Sequence, residues 1–222
     1  MSETFDASDP QARTAGIAAV KEAAQRGQAV VVPTDTVYGI GVDAFSPQAV
    51  AVLLAAKGRG RSMPPPVLVA RPEVMEALAA EIPDAARSLT EAFWPGGLTV
   101  ILQAQGSLAW DLGDTRGTVA LRMPADELAL EVLGAVGPMA VSSANRTGMP
   151  AATTAAAAES MLAESVAVYL DDGERVSIPP STIVDCTGEH PQVVRDGTIS
   201  LAELRAVVPE VRELDEGPAS AS

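Results

Sequence analysis

The sequence predicts an α/β fold, one domain organised around a mixed parallel and antiparallel sheet. Three observations predict it. Helical and strand patterns alternate along the chain, but not strictly. The last third is dense in short strand patterns, which suits a mixed sheet better than a regular doubly wound one. No repeat, long linker or break in composition divides the 222 residues, and that length fits a single large domain with a sizeable core. The domain is expected over residues 10–210, with 1–9 and 211–222 as flexible termini.

Taken in order, residues 10–26 read as an amphipathic helix. Asp9 can cap it, Pro10 suits its first turn, Ile17, Val20 and Ala24 share a face, and Gly27 ends it. The β-branched run from Val30 reads as a buried strand that stops at Pro33. It spills into a polar corner, Thr34-Asp35-Thr36, followed by Gly39 and Gly41, glycines that would let a ligand approach the backbone. Ser46-Pro47 opens a second helix, with Val50, Leu53 and Leu54 inward, running out at Lys57-Gly58. A basic loop continues through Met63 to Pro66 and enters the strand Val67–Ala70.

Short helical segments follow near 72–80 and 83–93, then a turn at Phe93–Gly97 and the strand Leu98–Ala104. Residues 105–117 read as a loop rich in Gly and Asp. Thr118–Arg122 is a strand stopped by Pro124, and a helix near 126–135 leads to the strand Met139–Ser142. The alanine-rich stretch 151–164 reads as loop and then helix. Short strands are expected at 166–170, 181–186 and 192–195. Ser200-Leu-Ala-Glu203 is a capping box opening the last helix, and 215–222 reads as a frayed tail.

Composition excludes several classes of function. No apolar run approaches the roughly 20 residues of a membrane span, and the acidic N-terminus lacks an export leader. One cysteine, Cys186, and one histidine, His190, leave neither an internal disulfide nor a zinc cluster. A formal charge of −14 argues against broad nucleic-acid binding, which needs cations to displace counterions. Three of the 15 basic residues nevertheless fall within Lys57-Gly-Arg-Gly-Arg61, a local cationic spot that suits a focused anion site. Neither a Gly-x-x-x-x-Gly-Lys-Ser/Thr loop nor a Gly-x-Gly-x-x-Gly turn is present.

What remains is a set of polar clusters at strand ends. Lys57 and Arg59 sit where a helix gives way to a glycine loop, within reach of one polyphosphate. Ser142-Ser143-Ala144-Asn145 offers hydroxyl and amide donors to phosphate or ribose. Arg122 ends a strand where its forked guanidinium could clamp a carboxylate. Ser181, Thr182 and Arg195 supply further donors. Together they describe a donor-rich, anion-binding cleft without an obvious proton-transfer dyad.

Seven blocks then appear in one order: Pro33-Thr-Asp-Thr-Val-Tyr-Gly-Ile-Gly41, Lys57-Gly-Arg59, Trp94-Pro-Gly-Gly-Leu-Thr99, Val119-Ala-Leu-Arg122, Ser142-Ser-Ala-Asn-Arg-Thr-Gly148, Ser181-Thr-Ile-Val-Asp185 and Val194-Arg-Asp-Gly197. Over roughly residues 14–208 the chain resembles the YrdC/Sua5 family, the L-threonylcarbamoyladenylate synthases, in its short single-domain form. The resemblance implies a twisted sheet flanked by helices with a large concave cleft. It also implies a reaction in which L-threonine, bicarbonate (or CO2) and ATP give threonylcarbamoyl-AMP and pyrophosphate. The product would pass to the tRNA threonylcarbamoyl transferase machinery in the cytoplasm.

Carried over by motif position, Thr36, Arg122, Val141 (through its backbone) and Ser181 would bind threonine. Lys57, Arg59, Met63, Thr118, Ser143, Asn145, Ala151 and Arg195 would bind ATP, with Lys57 and Arg59 stabilising charge and no residue acting as acid or base. Mg²⁺ would be held largely by phosphates and water. Two departures from the family pattern stand out. The basic loop reads Gly60-Arg-Ser-Met-Pro-Pro-Pro66 where a polar segment is usual, so Met63 could serve only through its backbone and Arg61 could compensate. Leu68 stands where longer members carry a histidine. Two other readings compete: a non-catalytic binder of structured RNA, disfavoured by the negative charge, and a carbamoyl transferase, which would need an additional domain.

Overall fold

Three consecutive valines, all buried, form the strand at the centre of one half of the molecule, and the chain packs outward from it on both faces. The computed structural model describes residues 2–176 and 179–213. Its strands are β1 (Glu3–Asp6), β2 (Val30–Val32), β3 (Gly39–Asp43), β4 (Val67–Leu68), β5 (Leu98–Gln103), β6 (Thr118–Arg122), β7 (Met139–Ser143), β8 (Val168–Asp171), β9 (Thr182–Asp185) and β10 (Gln192–Arg195). The helices are α1 (Pro10–Gln25), α2 (Pro47–Lys57), α3 (Glu73–Leu78), α4 (Asp84–Phe93), α5 (Glu127–Val136), α6 (Ala155–Leu162) and α7 (Leu201–Val207), and a 3₁₀ turn spans Ala163–Ser165.

Among the described residues the strands form one mixed sheet in the order β1-β8-β2-β3-β7-β4-β6-β5-β9-β10. β1, β8 and β2 run parallel, as do β4 with β6 and β5 with β9, while the remaining neighbours are antiparallel. Caps set the helix ends. The Asp9 carboxylate accepts from the amides of Gln11 and Ala12, and the Ser46 hydroxyl accepts from Ala49. Gly58, at φ +64, terminates α2 in the left-handed conformation and turns the chain toward Arg59.

Strand alternation divides the core in two. Val31, Ile40, Val67, Val100, Leu121 and Val184 face a large core closed by Leu53 of α2, Met75 of α3, Leu89 of α4, Ala158 of α6 and Leu204 of α7. Val30, Val32, Leu68, Met139, Val141 and Leu170 face the other way and are covered by Val20 and Ala23 of α1 and Leu128, Val132 and Leu133 of α5. Among the described residues the strand residues of that second layer come from β1, β2, β4, β7 and β8. Past β4 the same face is uncovered, and the half-buried Ile101, Ala120 and Ile183 lie on it. The cleft forms at that border.

Three expectations change. Within the expected loose terminus 1–9, the described residues 2–9 are tied down: β1 pairs in parallel with β8, and Phe5 packs so closely under Gly16 of α1 that a Cβ there would meet it at 2.9 Å. Four residues with two acidic side chains carry too little pattern to announce a strand. At the other end, Val211 is buried and Arg212 bridges to Gln192, so 211–213 belong to the domain, while the expected frayed tail lies outside the described residues. The polar corner Thr34-Asp35-Thr36 stays a bend between two strands, but the glycines after it do not belong to a loop, because Gly39–Asp43 is strand β3. Its glycines admit neighbouring side chains, since a Cβ on Gly39 would lie 2.7 Å from Val141 and one on Gly41 3.0 Å from Met139.

Candidate active site

Because Leu98, Val100, Leu121 and Val184 point into the large core, Thr99, Arg122 and Ser181 must emerge on the opposite face. There they meet the 34–39 corner between β2 and β3, the C-terminal end of β7, and Arg59 from the loop after α2. Together they enclose a cavity of about 430 Å³. Thr36, Arg59, Arg122, Val141, Ser143, Ala151, Ser181 and Arg195, eight of the residues singled out from the sequence, line it. So does Leu68, at the position where the sequence departs from the family pattern.

The cleft is cationic. Arg59, Arg122 and Arg195 contribute three guanidinium groups, and Arg195 is pushed below the usual arginine range by its burial and by Arg122 and Arg59. One carboxylate opposes them: Asp35 Oδ1 accepts from Arg122 Nη2 at 2.7 Å, with side chains only 14% and 10% exposed. Arg122 Nε donates to the carbonyl of Gly96 at 3.0 Å, which fixes the plane of the fork. Arg195 donates through Nε and Nη2 to the carbonyl of Ser181, and through Nη2 to its hydroxyl at 2.8 Å. Arg59 donates to the Ser142 hydroxyl at 3.1 Å.

Lys57 does not line the cleft. It is 1% exposed, and its ammonium donates to the carbonyls of Ser143 and Asn145 and to Asn145 Oδ1. Burial, with Arg59 nearby, pushes its pKa down to about 8, so at neutral pH it remains a donor within the β7–α6 turn. Asn145 is likewise internal to that turn, its amide donating to the carbonyls of Arg146 and Met149. Both sit one layer behind the serines that face the cavity. Spacing alone could not separate the two layers, since Lys57 and Arg59 differ only in which side of the Gly58 turn they occupy.

Two other expected nucleotide contacts lie elsewhere. Thr118 begins β6, at the opposite end of the strand from Arg122, and its hydroxyl donates to the carbonyl of Thr115. Met63 is 46% exposed, and its backbone N–H closes a turn onto Gly60. Arg61 turns away to Asp111 and Asp114 rather than into the cleft, clamping the basic loop to the 111–114 segment. The N–H of Val141 is spent on the carbonyl of Pro66, so that amide is not free for a ligand. In return the cleft uses Thr34, part of the polar corner but given no contact of its own, and Thr99, which lies within a quoted motif. Alternation against Leu98 and Val100 is the signal that marks Thr99.

Among the described residues no three His, Cys, Asp or Glu side chains are grouped to hold a metal, and no helix is long and apolar enough to cross a membrane. The donor set of the cleft, guanidinium and hydroxyl, is built for anionic oxygens.

Comparisons with known proteins agree with this geometry. The family model Sua5_yciO_yrdC, described as "Telomere recombination", matches residues 22–197. A relative from Mycobacterium tuberculosis (strain ATCC 25618 / H37Rv), 52% identical over 94% of this chain and 96% of its own, is provisionally named a threonylcarbamoyl-AMP synthase. The threonylcarbamoyl-AMP synthase of Bacillus subtilis (strain 168) is 32% identical over 98% of this chain and 62% of its own length. The structure of Pyrococcus abyssi Sua5 complexed with L-threonine superposes with a TM-score of 0.86 at 32% identity, covering 96% of this chain and 62% of that one.

Proposed function

On the premise that this chain belongs to the Sua5/YciO/YrdC family, we propose that it is an L-threonylcarbamoyl-AMP synthase. One observation carries the reading: three guanidinium groups and two hydrogen-bonded hydroxyls, Thr36 and Ser181, converge on one cleft whose cationic charge a single carboxylate only partly offsets. Such a cleft suits a substrate pair of one amino acid and one polyphosphate. The names borne by relatives, and the threonine held by the Pyrococcus neighbour, point to the same pair.

The chemistry asks the protein to position and to neutralise. Threonine's amine combines with bicarbonate, losing water, to give a carbamate. A carbamate oxygen attacks the α-phosphorus of ATP, the bond to the bridging oxygen breaks, and pyrophosphate leaves with its electron pair. The nucleophile is assembled from substrates, so no side chain need form a covalent bond. Arg122 would hold the threonine carboxylate, with Ser181 beside it. Arg59, Arg195 and Ser143 would face the phosphates, and Lys57 with Asn145 would act through the turn that carries Ser143. Mg²⁺ would arrive with ATP, neutralise phosphate charge and be coordinated by phosphate oxygens and water. The product would be handed to a transferase acting on tRNA, and the reaction would then run in the cytoplasm.

The test is pyrophosphate release from ATP with and without threonine and bicarbonate. Release that requires both, with threonylcarbamoyl-AMP recovered from the mixture, is the expected result. Release indifferent to threonine would overturn the reading.

A further inference from the structure

Thr99 is enclosed in the wall of the cleft beside Ser181, at 1% exposure. Among the described residues its hydroxyl has one partner, Ser181 Oγ at 2.8 Å. Ser181 Oγ has a second, Arg195 Nη2, also at 2.8 Å. A guanidinium can only donate, so Arg195 fills one lone pair of Ser181. Two arrangements are then open to the contact between the hydroxyls. If Ser181 donated to Thr99, the Thr99 proton would be buried with nothing to receive it, and such an orphan is costly. If Thr99 donates, every group enclosed there is paired. Ser181 then accepts twice, and its own proton is left for the cavity that it lines. The backbone beneath is held as firmly. The Ser181 carbonyl accepts from Arg195 Nε and Nη2, and the amide of Thr182 is fixed to the carbonyl of Gly97.

We propose that Thr99 is a positioning residue: by giving its proton to Ser181 it makes the Ser181 hydroxyl a fixed donor to the ligand's carboxylate. The proposal rests on the function read above, in which that carboxylate lies between Arg122 and Ser181. Arg122 already gives Nε to the carbonyl of Gly96 and shares Nη2 with Asp35, so its fork is not wholly free for the ligand. A carboxylate also has more lone pairs than one guanidinium can fill. Ser181 supplies the next donor. With both of its lone pairs occupied, it can meet the carboxylate only by donating, and little rotational freedom is left to be lost on binding. Thr99 itself is too deeply enclosed to touch the ligand and acts through Ser181.

Calorimetry with L-threonine and with ATP, each titrated into the full chain, tests this. Thr99→Val keeps the outline of the side chain but leaves the Ser181 hydroxyl held by Arg195 alone. Threonine affinity should fall about 10-fold, while ATP affinity moves less than about 2-fold. Thr99→Ser returns the hydroxyl and should come within about 2-fold of the wild type. A double-mutant cycle separates this role from packing. In Ser181→Ala protein, adding Thr99→Val should cost no further threonine affinity. It should also raise the melting temperature, since it removes a buried hydroxyl that has lost its acceptor. Unchanged threonine affinity in Thr99→Val, or equal losses in Thr99→Val and Thr99→Ser, overturns the proposal. So does a loss of about 10-fold on adding Thr99→Val to Ser181→Ala. Failure of the wild-type protein to bind threonine at all would instead overturn the functional reading beneath it.

Discussion

Arg122 and Asp35 come from opposite sides of the cleft, β6 and the corner after β2, and meet at 2.7 Å with little water around either. The pair ties the two walls together across 87 residues of sequence. Replacing Asp35 with Asn leaves a nearly enclosed guanidinium without its counter-charge, and breaking such pairs costs about 3 kcal/mol. Denaturant unfolding of Asp35→Asn should show a loss near that size. A loss under about 1 kcal/mol would mean that the pair behaves as an exposed one.

Arg122 is more than a point charge. Its Nε is anchored on Gly96, so the fork is presented in one plane, and a lysine could not reproduce both contacts. In Arg122→Lys the KM for threonine is expected to rise about 30-fold while that for ATP moves less than about 2-fold. Pyrophosphate release under varied threonine and varied ATP measures both. Equal rises would contradict the assignment of Arg122 to the amino-acid end of the cleft.

Lys57 gives the protein a signature in alkaline titration. Its pKa is about 8 in the fold, below the 10.5 of the free side chain. Between those two values the unfolded chain binds more protons than the folded one, so this group makes stability rise with pH across that window. Below about pH 8 the cost of enclosing the charge is fully present. The unfolding free energy of the wild-type protein minus that of Lys57→Met, followed from about pH 7.5 to 10.5, should therefore rise with pH. A falling difference would show that the surrounding oxygens hold the ammonium more strongly than burial opposes it.

Much of this architecture was legible because local chemistry is local. Pro10, Ser46-Pro47, Gly58 and the Ser200–Glu203 capping box mark helix ends by backbone rules that tertiary contacts do not override. β1 and β3 were not legible. β1 is four residues held by a parallel partner at positions 168–171, and β3 contains glycines whose reason, the side chains of Val141 and Met139, lies about a hundred residues away. The site divides in the same manner. Motif position found Arg59, Arg122, Ser181 and Arg195, which line the cleft. It could not tell them from Lys57, Asn145 and Thr118, which do not, because depth behind a wall is a property of packing and not of spacing.

Gly197 offers the sharpest test of how the Ser181 wall is built. It sits directly behind the chain at 180–182. A Cβ there would lie 2.2 Å from the carbonyl oxygen of Pro180, 2.4 Å from the carbonyl carbon of Ser181 and 2.4 Å from the amide of Thr182. All three neighbours are backbone, so no side chain can rotate out of the way, and one of the two segments must move. Thr182, one residue on, has its amide fixed to the carbonyl of Gly97 and its hydroxyl to that of Ile199, so the strain falls on Ser181. Gly197→Ala is expected to lose about 2 kcal/mol of stability from overpacking. Its threonine affinity should fall about 10-fold, as Ser181 leaves its contacts with Thr99 and Arg195. Gly106→Ala, where a Cβ would meet nothing within 4 Å, is the control and should change neither quantity measurably. Equal behaviour of the two variants would show that the Ser181 wall yields freely and is not held from behind.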